Sequence, residues 1–285
     1  MSGLTNAGAA VGAIVSAPLV VWLYLRWGWR SAFVITGAMG FLWLLAWLLL
    51  YRLPAEHPWI TAGELHLIDD PSAPAKDAAA AGMRWVELLR FPQTWGLFWS
   101  RFLSDPVWWF YLFWLPKYLV DRHGFTMAEM GMLAWLPYLT ADLGSICGGL
   151  LSGYLVKRKW PVLKARRAGM LPFAMMMPLS VIIAVTPSST VALGVICVVT
   201  FAHMAWKTNL VTLTNDLYPA HVVGSASGIA AFGNGLGGAL FTYAVGQTVQ
   251  HYSYNAIFIT MGFLHPVSYV VLRLLVRGPV DALRH

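Results

Sequence analysis

Residues Arg101 to Leu119 read RFLSDPVWWFYLFWLPKYL, and this stretch indicates the class of protein to which the chain belongs. An apolar run of this length can cross the hydrocarbon core of a membrane, which takes about 20 residues of helix. The run also carries Arg101 and Asp105 four residues apart, one helical turn from each other. Arg101 lies roughly 12 Å inside the segment, too deep for its charge to reach the surface easily. Such a pair marks either a functional site or an internal ion pair that only fixes the helix.

Composition places the whole chain in the same class. Of 285 residues, 58% are hydrophobic and 11% are charged, and the mean hydropathy is +0.63. This leaves too little polar surface to coat a water-soluble globule, so the sequence predicts an all-α polytopic membrane protein in a lipid bilayer. The net charge of +7 lies mostly between apolar segments, which favours topology signals over a nucleic-acid partner. Cys147 and Cys197 lie inside apolar segments without metal-ligand spacing and are interpreted as packing residues.

Eight apolar segments with the length that a bilayer requires follow one another along the chain. They cover residues 3–25, 31–51, 93–119, 128–155, 169–186, 190–213, 223–248 and 255–276. The loops on one side of these segments hold most of the Lys and Arg residues, which indicates that this side is cytoplasmic. Both ends of the chain are therefore predicted to be cytoplasmic.

The longest connection, residues 53–91, is predicted to lie on the cytoplasmic side. Thr61 and Glu64 have the spacing of a capping box, which predicts a short helix reaching Ile68. Residues 84–91, RWVELLRF, have apolar and charged side chains on opposite faces of a helix. This pattern predicts a helix that lies at the inner membrane surface.

Motifs of enzymes are absent from the sequence. There is no HExxH, no GxSxG, no phosphate-binding loop and no Cys/His cluster. His203 has no nucleophile or base at a recognisable spacing. The sequence therefore predicts neither an enzyme nor a metal site.

Several stretches together carry a resemblance to a known family. They are NAGAAVGAIVSAPLVVWL from Asn6, GWRSAFVITGAMGFLWLLAWLLLY from Gly28, the opening stretch with ADLGSICGGLLSGYL from Ala141, FAHMAWKTNLVTLTNDLYP from Phe201, and VGSASGIAAFGNGLGGAL from Val223. These stretches resemble the anion:cation symporter family of the major facilitator superfamily, and within it the bacterial hexuronate and sugar-acid transporters. The resemblance extends over nearly the whole chain.

The resemblance implies the major facilitator fold, in which two six-helix bundles hold substrate near the middle of the membrane. Residues 1–52 would be the last two helices of the N-terminal bundle, 53–91 the cytoplasmic central loop, and 92–285 the C-terminal six-helix bundle. The chain would then contain helices five to twelve, eight transmembrane helices in all, and lack the first four. Met1 is interpreted as an internal methionine, with a genuine eight-helix protein as the alternative.

The function implied by the resemblance is proton symport of organic anions, such as hexuronates or aldonates, across the bacterial inner membrane. The implied partners are a small organic anion and the lipid bilayer, the full-length protein would be a monomer, and no cofactor is expected besides the proton as coupling ion. A transporter of another carboxylate, a ligand sensor and a non-transporting membrane component are the alternatives.

Four residues are predicted to bind substrate. Asn234, among glycines in AAFGNGLGG, can donate to and accept from sugar hydroxyls, and it matches an asparagine of the eleventh helix that contacts substrate in the relatives. Its alternative role is an interhelical hydrogen bond. Trp206 corresponds to an aromatic residue that lines the site in the relatives. Lys207 either faces the cavity and binds a carboxylate or extends to the headgroups, and Asn6 is the only amide of the first segment.

Four further residues are predicted to form a charge network or to control gating. Arg101 and Asp105 pair on one helix, and Pro106 is expected to kink that helix. Asp142 either joins this network through Arg101 or binds a proton. His203 is expected to form a hydrogen bond between helices more readily than to act as a proton relay.

Overall fold

The computed structural model describes the backbone of residues 2–52, 60, 61, 63 and 85–280, and their side chains except those of residues 2–11, 13, 14 and 17. The chain forms two compact units, one of residues 19–82 and one of residues 1–18 together with 83–285. The described residues contain helices and irregular segments and no β-strand. This confirms the predicted all-α class.

The first helix, α1, runs from Ser2 to Leu50 and is broken at Gly28. Gly28 has φ 78° and ψ 176°, a conformation that residues with a side chain rarely adopt. The sequence predicted a turn over residues 26–30 between two helices. Instead the two helices meet at this single glycine, and Arg26 and Arg30 both lie within helix.

Six spans of the described residues are long and apolar enough to cross a membrane. They are Pro18–Leu50, Met127–Lys157, Val162–Val185, Ser189–Leu217, Ala220–His251 and Tyr254–Leu275. This count is lower than the eight predicted segments for two reasons. The two segments on either side of Gly28 count as one span, and residues 92–123 form shorter helices that do not qualify individually.

Residues 92–123, which include the stretch RFLSDPVWWFYLFWLPKYL, form a broken helix. It consists of α3 (Pro92–Ser104), α4 (Pro106–Phe113) and α5 (Leu115–His123), after the single turn α2 (Trp85–Leu88). A proline occupies one of the first two positions of the helix that follows each break. Proline cannot donate a backbone hydrogen bond to the preceding turn. The predicted kink at Pro106 is therefore present.

Seven more α-helices and one 3₁₀ turn complete the described chain. They are α6 (Met127–Leu133), α7 (Leu136–Lys157), α8 (Val162–Met176), a 3₁₀ turn (Met177–Leu179), α9 (Ser180–Val185), α10 (Ser189–Leu217), α11 (Ala220–His251) and α12 (Tyr254–Leu275), with α8, the 3₁₀ turn and α9 forming one span. This span begins at Val162 and not at residue 169, because the basic residues at its start are part of the helix. α10 lies at the centre, in contact with α7, α8, α9 and α11 and, through the side chains of His203 and Trp206, with α12.

Close helix approaches depend on glycines. A Cβ atom at Gly148 of α7 would lie 2.6 Å from the Cα atom of Ala205 in α10, so no larger residue fits there. A Cβ atom at Gly237 of α11 would meet the carbonyl oxygen of Phe102 in α3. Pro106 has no N–H to offer this same carbonyl, so α11 packs closely where α3 ends.

The predictions for the central loop are tested only at its end. α2 is shorter than the predicted amphipathic helix, and within it Leu88 is buried whereas Trp85 is 60% exposed. Thr94 Oγ1 donates to the carbonyl oxygen of Leu88 at 2.6 Å and so fixes this turn to the start of α3. The capping box predicted at Thr61 needs Glu64, which lies outside the described residues.

Candidate functional site

The charges of the opening stretch form a buried ion pair at the end of α3. Arg101 Nε lies 3.0 Å from Asp105 Oδ2, with the side chains 15% and 1% exposed. Ser104 Oγ lies 3.4 Å from Asp105 Oδ1 but only 2.8 Å from the carbonyl oxygen of Ser100, which is the better acceptor for its single proton. A buried pair of this kind costs desolvation energy that its own attraction offsets only with good geometry.

A third charge approaches this pair from α10. Lys207 is half-buried and lies within electrostatic range of both Asp105 and Arg101. Within the part of the chain that the structure describes, Lys207 has no carboxylate within 4.0 Å. One carboxylate and two cations therefore lie in the same region between α3 and α10, so one positive charge is in excess.

Asn234 on α11 is tied to the same stretch by Trp109. The Trp109 indole Nε1 donates to Asn234 Oδ1 at 2.9 Å. Trp109 follows Asp105 by four residues, so it lies one turn further along the kinked helix. A Cβ atom at Gly238 would lie 2.5 Å from the Trp109 ring, so the glycine makes room for this indole. The interhelical bond uses only the Asn234 oxygen, and its Nδ2 has no partner among the described residues.

Trp206 lies in the core of the bundle. Its ring is fully buried and packs edge-on against His265 and Tyr269 of α12, with ring centroids 5.7 Å and 6.2 Å apart. In this structure the indole faces α12, and contact of Trp206 with a substrate stays a prediction.

His203 joins three helices through its ring. The ring stacks on Trp108 of α4 at 5.9 Å, and its Nδ1 lies 3.1 Å from Nε2 of His265 in α12. Both histidines are fully buried, and His203 Nε2 and His265 Nδ1 have no partner within the described residues. The histidine pair thus forms the helix-to-helix hydrogen bond that the sequence favoured for His203.

For two predicted site residues, Asp142 and Asn6, the structure describes no contact with the other predicted site residues. Asp142 of α7 is half-buried and has no ion pair within 4.0 Å among the described residues, while Arg101 pairs with Asp105. The pairing of Asp142 with Arg101 is therefore absent here, because Arg101 has a nearer carboxylate one turn away. Asn6 lies in α1, and its side chain is outside the described ones.

Three residues that form specific contacts between helices were not predicted from the sequence. Trp109 and His265 lie in apolar segments, where a hydrogen-bonding side chain signals a specific partner. Arg166 was counted only as a topology signal, yet its Nε lies 2.8 Å from Asp216 Oδ2 and its Nη1 donates to Ser152 Oγ at 2.9 Å. These contacts join α8 to α10 and α7 at one end of the bundle.

Comparison with protein families and curated proteins gives consistent matches. The family model described as Major Facilitator Superfamily matches residues 1–242. The chain is 30% identical over 274 residues to a hexuronate transporter of Escherichia coli K12, covering 95% of this chain and 63% of that protein. It is 35% identical over 150 residues to a galacturonate transporter of Dickeya chrysanthemi, covering 52% of this chain and 44% of that protein.

Further matches agree with these. A probable galactarate/D-glucarate transporter of Escherichia coli K12 is 26% identical over 273 residues, covering 92% of this chain and 61% of that protein. The chain thus spans somewhat less than two thirds of the length of the first and third of these relatives.

Among solved structures, the chain is similar to the crystal structure of a bacterial homologue of the human lysosomal transporter Spinster, in an inward-facing and unoccupied conformation. The TM-score is 0.51 at 20% identity, covering 87% of this chain and 57% of that one, which shows the fold alone. A family of transporters agrees with the prediction that the chain is not an enzyme. On its apolar helices and the extent of the family match, this multi-pass membrane protein belongs to the Major Facilitator Superfamily.

Proposed function

We propose that this protein transports small sugar-acid anions, such as hexuronates or aldonates, across the bacterial inner membrane. Proteins similar to it are named as transporters of hexuronate, galacturonate, galactarate or D-glucarate, and D-galactonate. All of these compounds combine a carboxylate with several hydroxyl groups. A binding site for them needs one positive charge and several neutral hydrogen-bonding groups.

The observation that carries the proposal is the excess positive charge of Lys207. An ammonium group without a carboxylate of its own is costly inside an apolar bundle. A substrate carboxylate would supply the missing charge and form charge-assisted hydrogen bonds with the ammonium. Arg101 and Asp105 neutralise each other, so they set the local field and leave Lys207 to bind the anion.

The hydroxyl groups of the substrate are assigned to Asn234. Its oxygen is held by Trp109, which orients the amide so that Nδ2 is free to donate. Trp109 follows Asp105 by four residues, so Asn234 contacts the same broken helix one turn beyond the ion pair near Lys207.

The proposal also includes proton coupling and alternating access by rocking of two bundles. It further includes cytoplasmic chain ends and a monomeric full-length protein. Support for coupling comes only from the family resemblance, and support for orientation comes from the distribution of Lys and Arg in the loops.

Uptake of radiolabelled sugar acids tests the function. Cells that produce the protein from its natural gene are expected to accumulate glucuronate, galacturonate or galactonate, and collapse of the proton gradient is expected to stop this accumulation. Specific binding without uptake would favour a ligand sensor. The absence of both for all three acids and related carboxylates would contradict the proposal.

A further inference from the structure

A cavity lined by basic residues lies at one end of the bundle, between the start of α8 and the end of α12. It has a volume of about 420 Å³. The lining residues that matter here are Trp160, Lys164, Arg167, Leu171, Tyr269 and Arg273. We call this cavity the basic pocket. It lies at the end of the bundle that carries most of the basic residues, the end predicted to be cytoplasmic.

The cations of the basic pocket have no counter-ion among the described residues. Lys164, Arg167 and Arg273 form no ion pair with a carboxylate of the described residues, and no Asp or Glu lines the cavity. Arg167 Nη2 donates to the backbone oxygen of Arg273 at 3.5 Å, and both residues line the same cavity. Like charges at such proximity repel each other unless an anion lies between them.

A buried donor of Arg167 is also without an acceptor. Its Nε is shielded from solvent and finds no hydrogen-bond partner among the residues that the structure describes. Arginine presents its donors as a planar fork that fits the oxygens of a phosphate or carboxylate. The basic pocket therefore offers both charge and directed donors to an anion.

The helix start adds to this preference. Lys164 and Arg167 lie in the first two turns of α8, which begins at Val162. The N-terminal end of a helix carries a partial positive charge, so cations there are unfavourable and anions are favourable. An anion in the pocket would offset both the dipole and the three cations.

The surroundings of the pocket are those of a membrane interface. The Lys164 ammonium lies 5.0 Å from the ring centroid of Trp160, which is 39% exposed. Next to the pocket, Leu171 of α8 and Leu274 of α12 are exposed apolar side chains. Trp residues concentrate where headgroups meet hydrocarbon, and leucines below them suit acyl chains.

We propose that the basic pocket binds the phosphate of an anionic phospholipid, of the phosphatidylglycerol or cardiolipin type, from the leaflet at this end of the bundle. Basic pockets between transmembrane helices on the cytoplasmic side suit such headgroups. Arg167 binds the phosphate oxygens through its fork, Lys164 and Arg273 flank them, and the acyl chains lie over Leu171. The site is separate from the proposed sugar-acid site on α3, α10 and α11.

Lipid retention measured by native mass spectrometry tests the proposal. The protein is reconstituted in phosphatidylcholine vesicles with phosphatidylglycerol, extracted in detergent, and analysed for bound lipid. The test variant replaces Lys164, Arg167 and Arg273 by Gln. The control variant replaces Lys157, Arg158 and Arg277 by Gln, three exposed cations at the same end of the bundle. Both variants lose three charges, so general attraction to anionic lipid falls equally.

The test variant is expected to retain phosphatidylglycerol at least about tenfold less than the control variant, because only it loses the directed donors. Equal retention by the two variants would overturn the proposal. Where the triple variant fails to insert, the double variant of Lys164 and Arg273, both exposed, is expected to reduce retention in the same direction. Unchanged retention in the double variant, with the triple variant unable to insert, would equally overturn the proposal.

Free phosphate distinguishes a lipid site from a general anion site. Added inorganic phosphate is expected to leave the bound lipid in place, because it lacks the acyl chains that contact Leu171. Displacement of the lipid by inorganic phosphate, or equal thermal stabilisation of lipid-free protein by phosphate and by phosphatidylglycerol, would overturn the assignment to a phospholipid.

Discussion

Two ion pairs with the same four-residue spacing lie on the same broken helix, and they differ in burial. Arg101 and Asp105 are 15% and 1% exposed, whereas Lys117 and Asp121 are 56% and 36% exposed. Spacing alone gives both pairs the same geometry, about 3 Å between nitrogen and oxygen. Loss of the exposed pair is expected to change the free energy of unfolding little, because water replaces each partner.

The buried pair has no such replacement. If Asp105 is removed, Arg101 and Lys207 are left as two cations in an apolar bundle. An ion pair therefore indicates function through its surroundings, here the third charge of Lys207, and only weakly through its own sequence pattern.

The largest expected effect comes from removing the carboxylates one at a time. Asp105→Ala is expected to lower the free energy of unfolding by about 3–5 kcal/mol, because it leaves a buried charge without a partner. Asp121→Ala is expected to lower it by less than about 1 kcal/mol. Thermal unfolding of the purified variants in detergent measures both. Similar losses for the two variants would remove the distinction between the pairs.

Lys207→Gln separates charge from stability. This change is expected to leave the unfolding temperature unchanged or higher, because it removes an unpaired buried cation. Uptake of sugar acid is expected to fall by roughly 10–100-fold in kcat/KM, the effect of losing a charged hydrogen bond. Lys117→Gln, which removes an exposed cation, serves as the control and is expected to transport normally. Normal uptake by Lys207→Gln would exclude this residue from the site.

Asn234→Ala tests the neutral half of the site. Uptake is expected to fall at least about tenfold while the amount of inserted protein is unchanged. Trp109→Phe removes the donor that orients Asn234 and keeps an aromatic ring, so a smaller loss of uptake is expected. If Trp109→Phe impairs uptake and Asn234→Ala does not, the indole of Trp109 contacts the substrate and Asn234 only positions the indole.

The smallest effect concerns pH. The hydrogen bond from Lys117, at 2.7 Å, lowers the pKa of Asp121 below its ordinary value. A lowered pKa adds stability above the unfolded-state pKa of about 4, and this stability is lost as the pH falls through the folded-state value. Because the pair is exposed, the difference is expected to stay below about 0.5 kcal/mol. Unfolding temperatures of Lys117→Gln and the parent between pH 3 and about 6 should therefore converge at the acidic end. A gap that widens there would contradict the assignment.

Much of the fold could be predicted from the sequence, because apolar length and proline or glycine positions act locally. The segments around α10, α11 and α12 were placed within a few residues, and the kink at Pro106 follows from its missing N–H. The break at Gly28 was predicted as a loop, since a sequence shows that glycine permits a turn and not how short the turn is.

The site was harder to predict, because it depends on which helix faces meet. The pairing of Arg101 with Asp105 is set by spacing along one helix. The contacts of Asn234 with Trp109 and of His203 with His265 join residues 125 and 62 positions apart. No local pattern predicts such contacts. In the same way, the burial of Trp206 against α12 depends on the packing of the bundle.

If a substrate carboxylate binds next to Lys207, the protein is expected to discriminate between glucuronate and glucose. The two sugars share the ring and most hydroxyls and differ in the carboxylate. Equilibrium binding to the purified protein is expected to detect glucuronate and not glucose, and Lys207→Gln is expected to erase most of this difference. Equal binding of both sugars by the parent, or undiminished preference for glucuronate in Lys207→Gln, would contradict the account.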